Sequence, residues 1–214
     1  MSDAALRDGE QVVRTIAQTA LDNEKYFCDL DAVVGDGDFG YSLARGFGKL
    51  TDDWDQLEYD DVGALLKRTA MVLTSRVGGA SGPIWGTAFL RAGVVLSGNP
   101  SPSGADVVAA LRASIEGVKQ RGGSDVGDKT LLDALVPAVD ALEQQLLAGE
   151  PAAQALQVAA VTAREAAEAT KPMLAQRGRA AYAGERSRDS VDAGAIAIAV
   201  IFEAVSRAWS PTSV

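Results

Sequence analysis

Histidine is missing from this chain altogether. That removes the side chain best suited to proton transfer near neutral pH, and the commonest transition-metal ligand. Proton transfer must then use carboxylates, lysine, tyrosine, water or a partner chain, and a bound metal is expected to be oxygen-loving Mg²⁺ or Mn²⁺. Cysteine occurs once, at Cys28, so no internal disulfide can form, which fits a reducing compartment. A small buried apolar residue is its expected role. Positive charge is scarce, with 20 Lys and Arg against 29 Asp and Glu and a net charge of −9. Nucleic acid and anionic membranes are bound largely through dense positive charge, so neither is an expected partner. The longest apolar run, 193–202, is too short to cross a bilayer. The opening MSDAALRDGEQ carries no hydrophobic signal core. The chain therefore reads as cytoplasmic.

What is present reads as helix. No stretch alternates polar and apolar residues between turns, so little or no sheet is expected. Leu6, Val13, Ile16, Ala20 and Leu21 fall at helical spacing in a first helix over 4–27. Further helices are expected over 39–50, from about 61 to 76, 81–96, from 103 or 104 to 119, 130–147, 151–175 and 191–208. Asp60 and Asp61 suit the positive end of the third, and Ser81-Gly82-Pro83 restarts the chain as the fourth. The acidic stretch 52–61 is a solvated loop and helix start. Alanine is abundant over 152–169, which favours helix and close helix approach. The 214 residues suffice for one well-buried domain. The expected fold is all-α: a single-domain, eight-helix, up-and-down antiparallel barrel or bundle with its site on one rim.

The chemistry concentrates in LDAVVGDGDFGYSLARGF, where Asp31, Asp36 and Asp38 cluster among Gly35, Gly37 and Gly40. Magnesium takes one or two carboxylates together with phosphate oxygens, and glycines leave room for a bulky anion. A capped acidic turn is the structural alternative. EF-hand calcium binding is disfavoured, because the Asp and Gly order is wrong and no glutamate closes the loop. Three more glycine-rich segments follow, GGASGPIWG, RGGSDVGDKT and GRAAYAGERSRDSVDAGA. The four segments follow expected helices 1, 3, 5 and 7, so an antiparallel series places them all on one rim. Neither GxxxxGK[ST] nor a strand-linked GxGxxG occurs. Ser81 either caps its helix or offers its hydroxyl to a phosphate. Asp128-Lys129-Thr130 reads as charged N-cap chemistry, Arg179 as a phosphate partner, and Arg186 and Arg188 as surface charges. Trp85 packs in the core or lines the site mouth, and Leu131 packs in the core or against a base.

These four segments resemble the nucleotide-binding L subunit of dihydroxyacetone kinase, whose pattern is close to GDGDHG…NMxRGF, GGASGPLYGTAF, RGGAxxGDKTMLDAL and GRASYxGERSxxxxDPGA. The chain has GDGDFGYSLARGF, GGASGPIWGTAF, RGGSDVGDKTLLDAL and GRAAYAGERSRDSVDAGA, in the same order over essentially its whole length. The resemblance implies an eight-helix barrel with nucleotide and two Mg²⁺ at the loop rim. It implies that Asp31, Asp36 and Asp38 hold the metal. Phe39, Gly40, Tyr41 and Ser42 would face the phosphates, and Ala80, Ser81, Gly122, Leu131, Arg179, Asp192, Ala193 and Gly194 would complete the nucleotide pocket. It further implies a separate ketose-binding subunit that holds its substrate through a histidine. Phe39 replaces the family histidine, Ser42 its asparagine, and DAGA its DPGA. Three readings stay open: a subunit passing phosphoryl from Mg–ATP to dihydroxyacetone or a related short-chain ketose; one holding ADP as a coenzyme recharged by a phosphotransferase-system protein; and a nucleotide-binding regulatory paralogue. A homodimer also stays open.

Overall fold

The computed structural model describes residues 2–209. Among them are nine α-helices, two 3-10 segments and no strand. The helices are α1 (Ser2–Asp22), α2 (Glu24–Asp31), α3 (Phe39–Asp52), α4 (Val62–Arg76), α5 (Ser81–Leu96), α6 (Gly104–Gly122), α7 (Leu132–Leu147), α8 (Ala152–Ala169) and α9 (Ala193–Ala208), with 3-10 segments at Trp54–Gln56 and Arg179–Ser187. The all-α expectation holds, and two boundaries differ for clear reasons. The expected helix over 4–27 is two helices, because the Asn23 side-chain amide donates to Thr19 O (2.9 Å) alongside its own backbone N–H (3.2 Å). Asn23 leaves helical geometry at φ −107° and ψ 13°, a local side-chain bond competing with the helix ladder. The helix expected over 151–175 stops at Ala169. Pro172 disfavours helical geometry at Lys171, and the Thr170 hydroxyl donates back to Ala167 O at 2.6 Å.

Helices adjacent in the chain pack side by side, and α9 returns to α1 to close the ring. Antiparallel register shows in the partners: Ser114 of α6 donates to Ala88 O of α5 (2.7 Å), and Arg112 of α6 pairs with Asp140 and Glu143 of α7. Asp61 caps α4, accepting from Ala64 N at 2.6 Å, and a capping box of Ser103 and Asp106 opens α6. One core draws Val13, Phe27, Phe47, Leu73, Val118, Leu132, Ala163 and Ile196 from different helices. Trp85 is a core residue, buried edge-on against Phe47 at 6.3 Å between ring centres. Among the described residues no helix is long and apolar enough to cross a membrane.

Candidate functional site

Each sequence segment expected to carry chemistry lies at the start of a helix or just before one. Phe39, Gly40, Tyr41 and Ser42 form the first turn of α3, Ala80 and Ser81 begin α5, Leu131 precedes α7, and Asp192, Ala193 and Gly194 begin α9. Contacts between neighbouring segments join these starts. A Cβ on Gly78 would sit 3.0 Å from Ser42 Oγ, linking the α5 approach to α3. A Cβ on Gly122, the last residue of α6, would lie 3.2 Å from Ile84 Cδ1 of α5. One on Gly194 would lie 3.4 Å from Leu131 N. Arg179 closes the circuit by pairing with Asp36, with Asp38 3.8 Å away. These contacts place Ser42 beside Gly78, Gly122 beside Ile84, Leu131 beside Gly194, and Arg179 beside Asp36 and Asp38. The first-turn N–H groups of a helix lack carbonyl partners within the helix and carry the positive end of its dipole. Four such starts lie on the rim together with the ends of α2 and α6 at Asp31 and Gly122, so their first-turn amides are its candidate anion contacts.

At the edge of that rim, Asp31, Asp36 and Asp38 each offer a carboxylate oxygen within 4.8 Å of the others. Asp31 ends α2, and its Oδ2 accepts from Gly37 N at 2.9 Å. The turn that makes this bond requires glycine, since a Cβ at Gly35 would lie 2.3 Å from Asp31 Oδ1. Glycine is equally needed where α3 crosses α2: a Cβ at Gly40 would meet Glu24 O at 2.0 Å. Three oxygen donors with no nitrogen or sulfur among them suit a hard divalent cation. The Arg179 guanidinium supplies the opposing charge in this structure, so the donor set fits Mg²⁺.

Several details refine the sequence expectations. The Phe39 ring turns inward, 6.1 Å from Phe27 between centres, so the replacement of the family histidine adds core contact there. Ser81 does not cap α5; that position belongs to Ala80, which makes no side-chain cap. Cys28 is half-buried, and its Sγ accepts from Tyr41 N at 3.2 Å. Arg188 is an exposed charge paired with Glu185. Lys129 is no exposed cap: it is 2% exposed, and its ammonium reaches Lys171, Met173, Ser187 and Ser190 carbonyls. Asp133, also buried, accepts from Gly127 N (2.6 Å) and Thr130 N (2.7 Å) and so fixes the same turn. In sequence the sign of Lys129 was a charged residue between a glycine turn and a helix, a pattern that most often marks a cap.

Fold and rim together define the class, an all-α helical ring with its polar chemistry gathered at one end. A family model described as the DAK2 domain matches residues 33–207, and the chain belongs to that family. It is 37% identical over 184 residues to the ADP-binding subunit DhaL of the PEP-dependent dihydroxyacetone kinase of Escherichia coli, covering 86% of this chain and 88% of that one. It is 40% identical over 179 residues to the L-erythrulose kinase of Pectobacterium atrosepticum, covering 83% of this chain and 30% of that enzyme. The crystal structure of the C. freundii dihydroxyacetone kinase with AMP-PNP and Mg²⁺ superposes with a TM-score of 0.73 at 29% identity, over 92% of this chain and 33% of the kinase.

Proposed function

We propose that the chain, as a single domain over 1–214, is the nucleotide-binding subunit of a kinase for dihydroxyacetone or a related short-chain ketose. The observation that carries this reading is the convergence of four helix starts and three carboxylates on one rim. Asp31, Asp36 and Asp38 would hold magnesium, two ions by the resemblance, which neutralises phosphate charge and stabilises the transferring phosphoryl group. The remaining work falls to the chain itself. First-turn amides of α3 and α5 and the hydroxyls of Ser42 and Ser81 bind phosphate oxygens. Arg179 exchanges its carboxylate partners for phosphate. Leu131 gives the base an apolar wall, and the α9 start at Asp192, Ala193 and Gly194 encloses it. Phosphoryl transfer needs positioning and charge more than covalent help, so a chain without histidine is adequate. The ketose then comes from a partner that supplies the substrate histidine.

ADP as a resident coenzyme, recharged by a phosphotransferase-system protein, is the favoured form, supported by the ADP-binding relatives named for PEP dependence. A second form, with ATP as a consumed donor, is supported by the AMP-PNP complex of the C. freundii kinase. Mixing the purified chain with a ketose-binding subunit and dihydroxyacetone separates them. Product formed from PEP and phosphotransferase proteins, with no loss of free ATP, is expected. Steady ATP consumption instead would select the second form, and no turnover with either donor, together with tight Mg–nucleotide binding, would reject both in favour of a regulatory nucleotide-binding protein.

A further inference from the structure

The function proposed above leaves out the least exposed charged side chain among the described residues. Lys129 is 2% exposed and makes no ion pair with another described residue, although Asp192 and Asp189 act on it through their charges. Its Nζ lies 2.5 Å from Ser187 O, 2.6 Å from Ser190 O, 3.1 Å from Met173 O and 3.4 Å from Lys171 O. An ammonium has three protons to donate and no acceptor, so the surroundings match the group. They also match something else: rings of backbone carbonyls are the lining that replaces the hydration shell of a weakly hydrated monovalent cation. Burial pushes the Lys129 pKa down, while the charges of Asp192 and Asp189 act against that.

The four carbonyls are not a random set. Residues 171 and 173 lie on the outgoing arm of the segment between α8 and α9, and 187 and 190 on its returning arm. The stretch between them carries Arg179, which reaches the carboxylate cluster. A backbone bond from Gln176 N to Asp128 O, 3.0 Å, ties the same turn to that stretch. Lys129 itself holds the left-handed conformation at φ 61°, uncommon for a residue with a side chain and kept only where surroundings impose it.

We propose that Lys129 is a tethered monovalent cation: its ammonium fills a carbonyl-lined site of K⁺ or NH₄⁺ type, clamping both arms of the 170–192 segment and so positioning Arg179. The positioning half rests on the nucleotide reading, and the cation half stands without it. Lys129→Ala opens the site, and Lys129→Met fills it with an uncharged chain of similar length. In lithium or choline buffer both variants are expected to melt earlier than the wild type and to be cut faster by trypsin near Arg177 and Arg179. Addition of K⁺, NH₄⁺ or methylammonium restores the Ala variant and leaves the Met variant unchanged. Mg–ADP affinity falls about tenfold in both, the lower scale of one lost hydrogen bond to a charged group, and returns only in Ala with cation. An Ala variant indifferent to all three cations, or two variants that melt like wild type, overturns the cation site. Cation rescue of melting with Mg–ADP affinity unchanged overturns the positioning half alone, while failure of wild type to bind Mg–ADP overturns the nucleotide reading. Should neither variant fold, amine labelling of the wild type decides. Lys129 must stay unmodified while exposed Lys25 reacts, and equal labelling of the two refutes the site.

Discussion

Asp192 ties the start of α9 to Thr170, with its carboxylate and its backbone each making one of the bonds. Its Oδ2 accepts from Ala195 N at 2.7 Å and opens α9, while its own N–H donates to Thr170 Oγ1 at 2.9 Å. Removal from water pushes its pKa from 3.8 up to about 7; the nearby Asp133 adds to this, and the Ala195 N–H and Lys129 oppose it. The folded chain thus holds this proton more tightly than the unfolded chain does. The stability gained from it is complete below 3.8 and is lost as pH rises through about 7. Asp192→Asn keeps a capping oxygen and removes the titration. Its thermal midpoint should fall less than that of wild type between those pH values, and superimposable profiles would refute the assignment. Such loss of water around the carboxylate is invisible in DAGA as a sequence. The carboxylates of GDGD, by contrast, were legible because acidic residues packed among glycines have few other uses. The burial of Lys129 was not legible, because its four acceptors are backbone carbonyls some 42 to 61 residues away, and no side chain announces them.

Helices α4 and α5 meet along a seam of glycines that sets how closely two elements approach. A Cβ on Gly63 would lie 2.5 Å from Ser97 N, 2.6 Å from Ser97 Cα and 2.7 Å from Gly93 O, all backbone atoms that can move only with the helix. Gly63→Ala should therefore cost about 1–3 kcal/mol, as overpacking does. Gly104→Ala should be neutral or stabilising, because its Cβ meets the flexible end of Leu146 at 3.2 Å and alanine, even at a helix's first position, limits the unfolded chain more than glycine does. Urea midpoints at constant m-value test the order, and a Gly104→Ala loss exceeding that of Gly63→Ala would contradict it. Most helices could be placed from their glycine, serine and proline boundaries. The break at Asn23 could not, since one side-chain amide competing for Thr19 O decides it. Nor was the α8 end at Ala169 foreseen, although Pro172 was in plain view in the sequence.

For the molecule as a whole, the gathering of four distant segments was legible because antiparallel connectivity sends alternate loops to the same end. The same connectivity makes those loops feed helix starts, so α3, α5, α7 and α9 begin on the rim where α2, α4, α6 and α8 end. A protein of net charge −9 can hold a polyphosphate there only if the carboxylates of the same rim are neutralised. Magnesium dependence is thus the sharpest global expectation. Asp36→Asn should leave the fold intact, because it removes only an exposed pair with Arg179, worth about 0–1 kcal/mol. The decisive measurement is calorimetric titration of ADP into wild type and Asp36→Asn, each with Mg²⁺ and with EDTA. Tight binding by wild type with Mg²⁺ is expected, weakened at least about tenfold, or ~1.4 kcal/mol, by EDTA or by the substitution. Equal affinity in all four titrations would contradict the account.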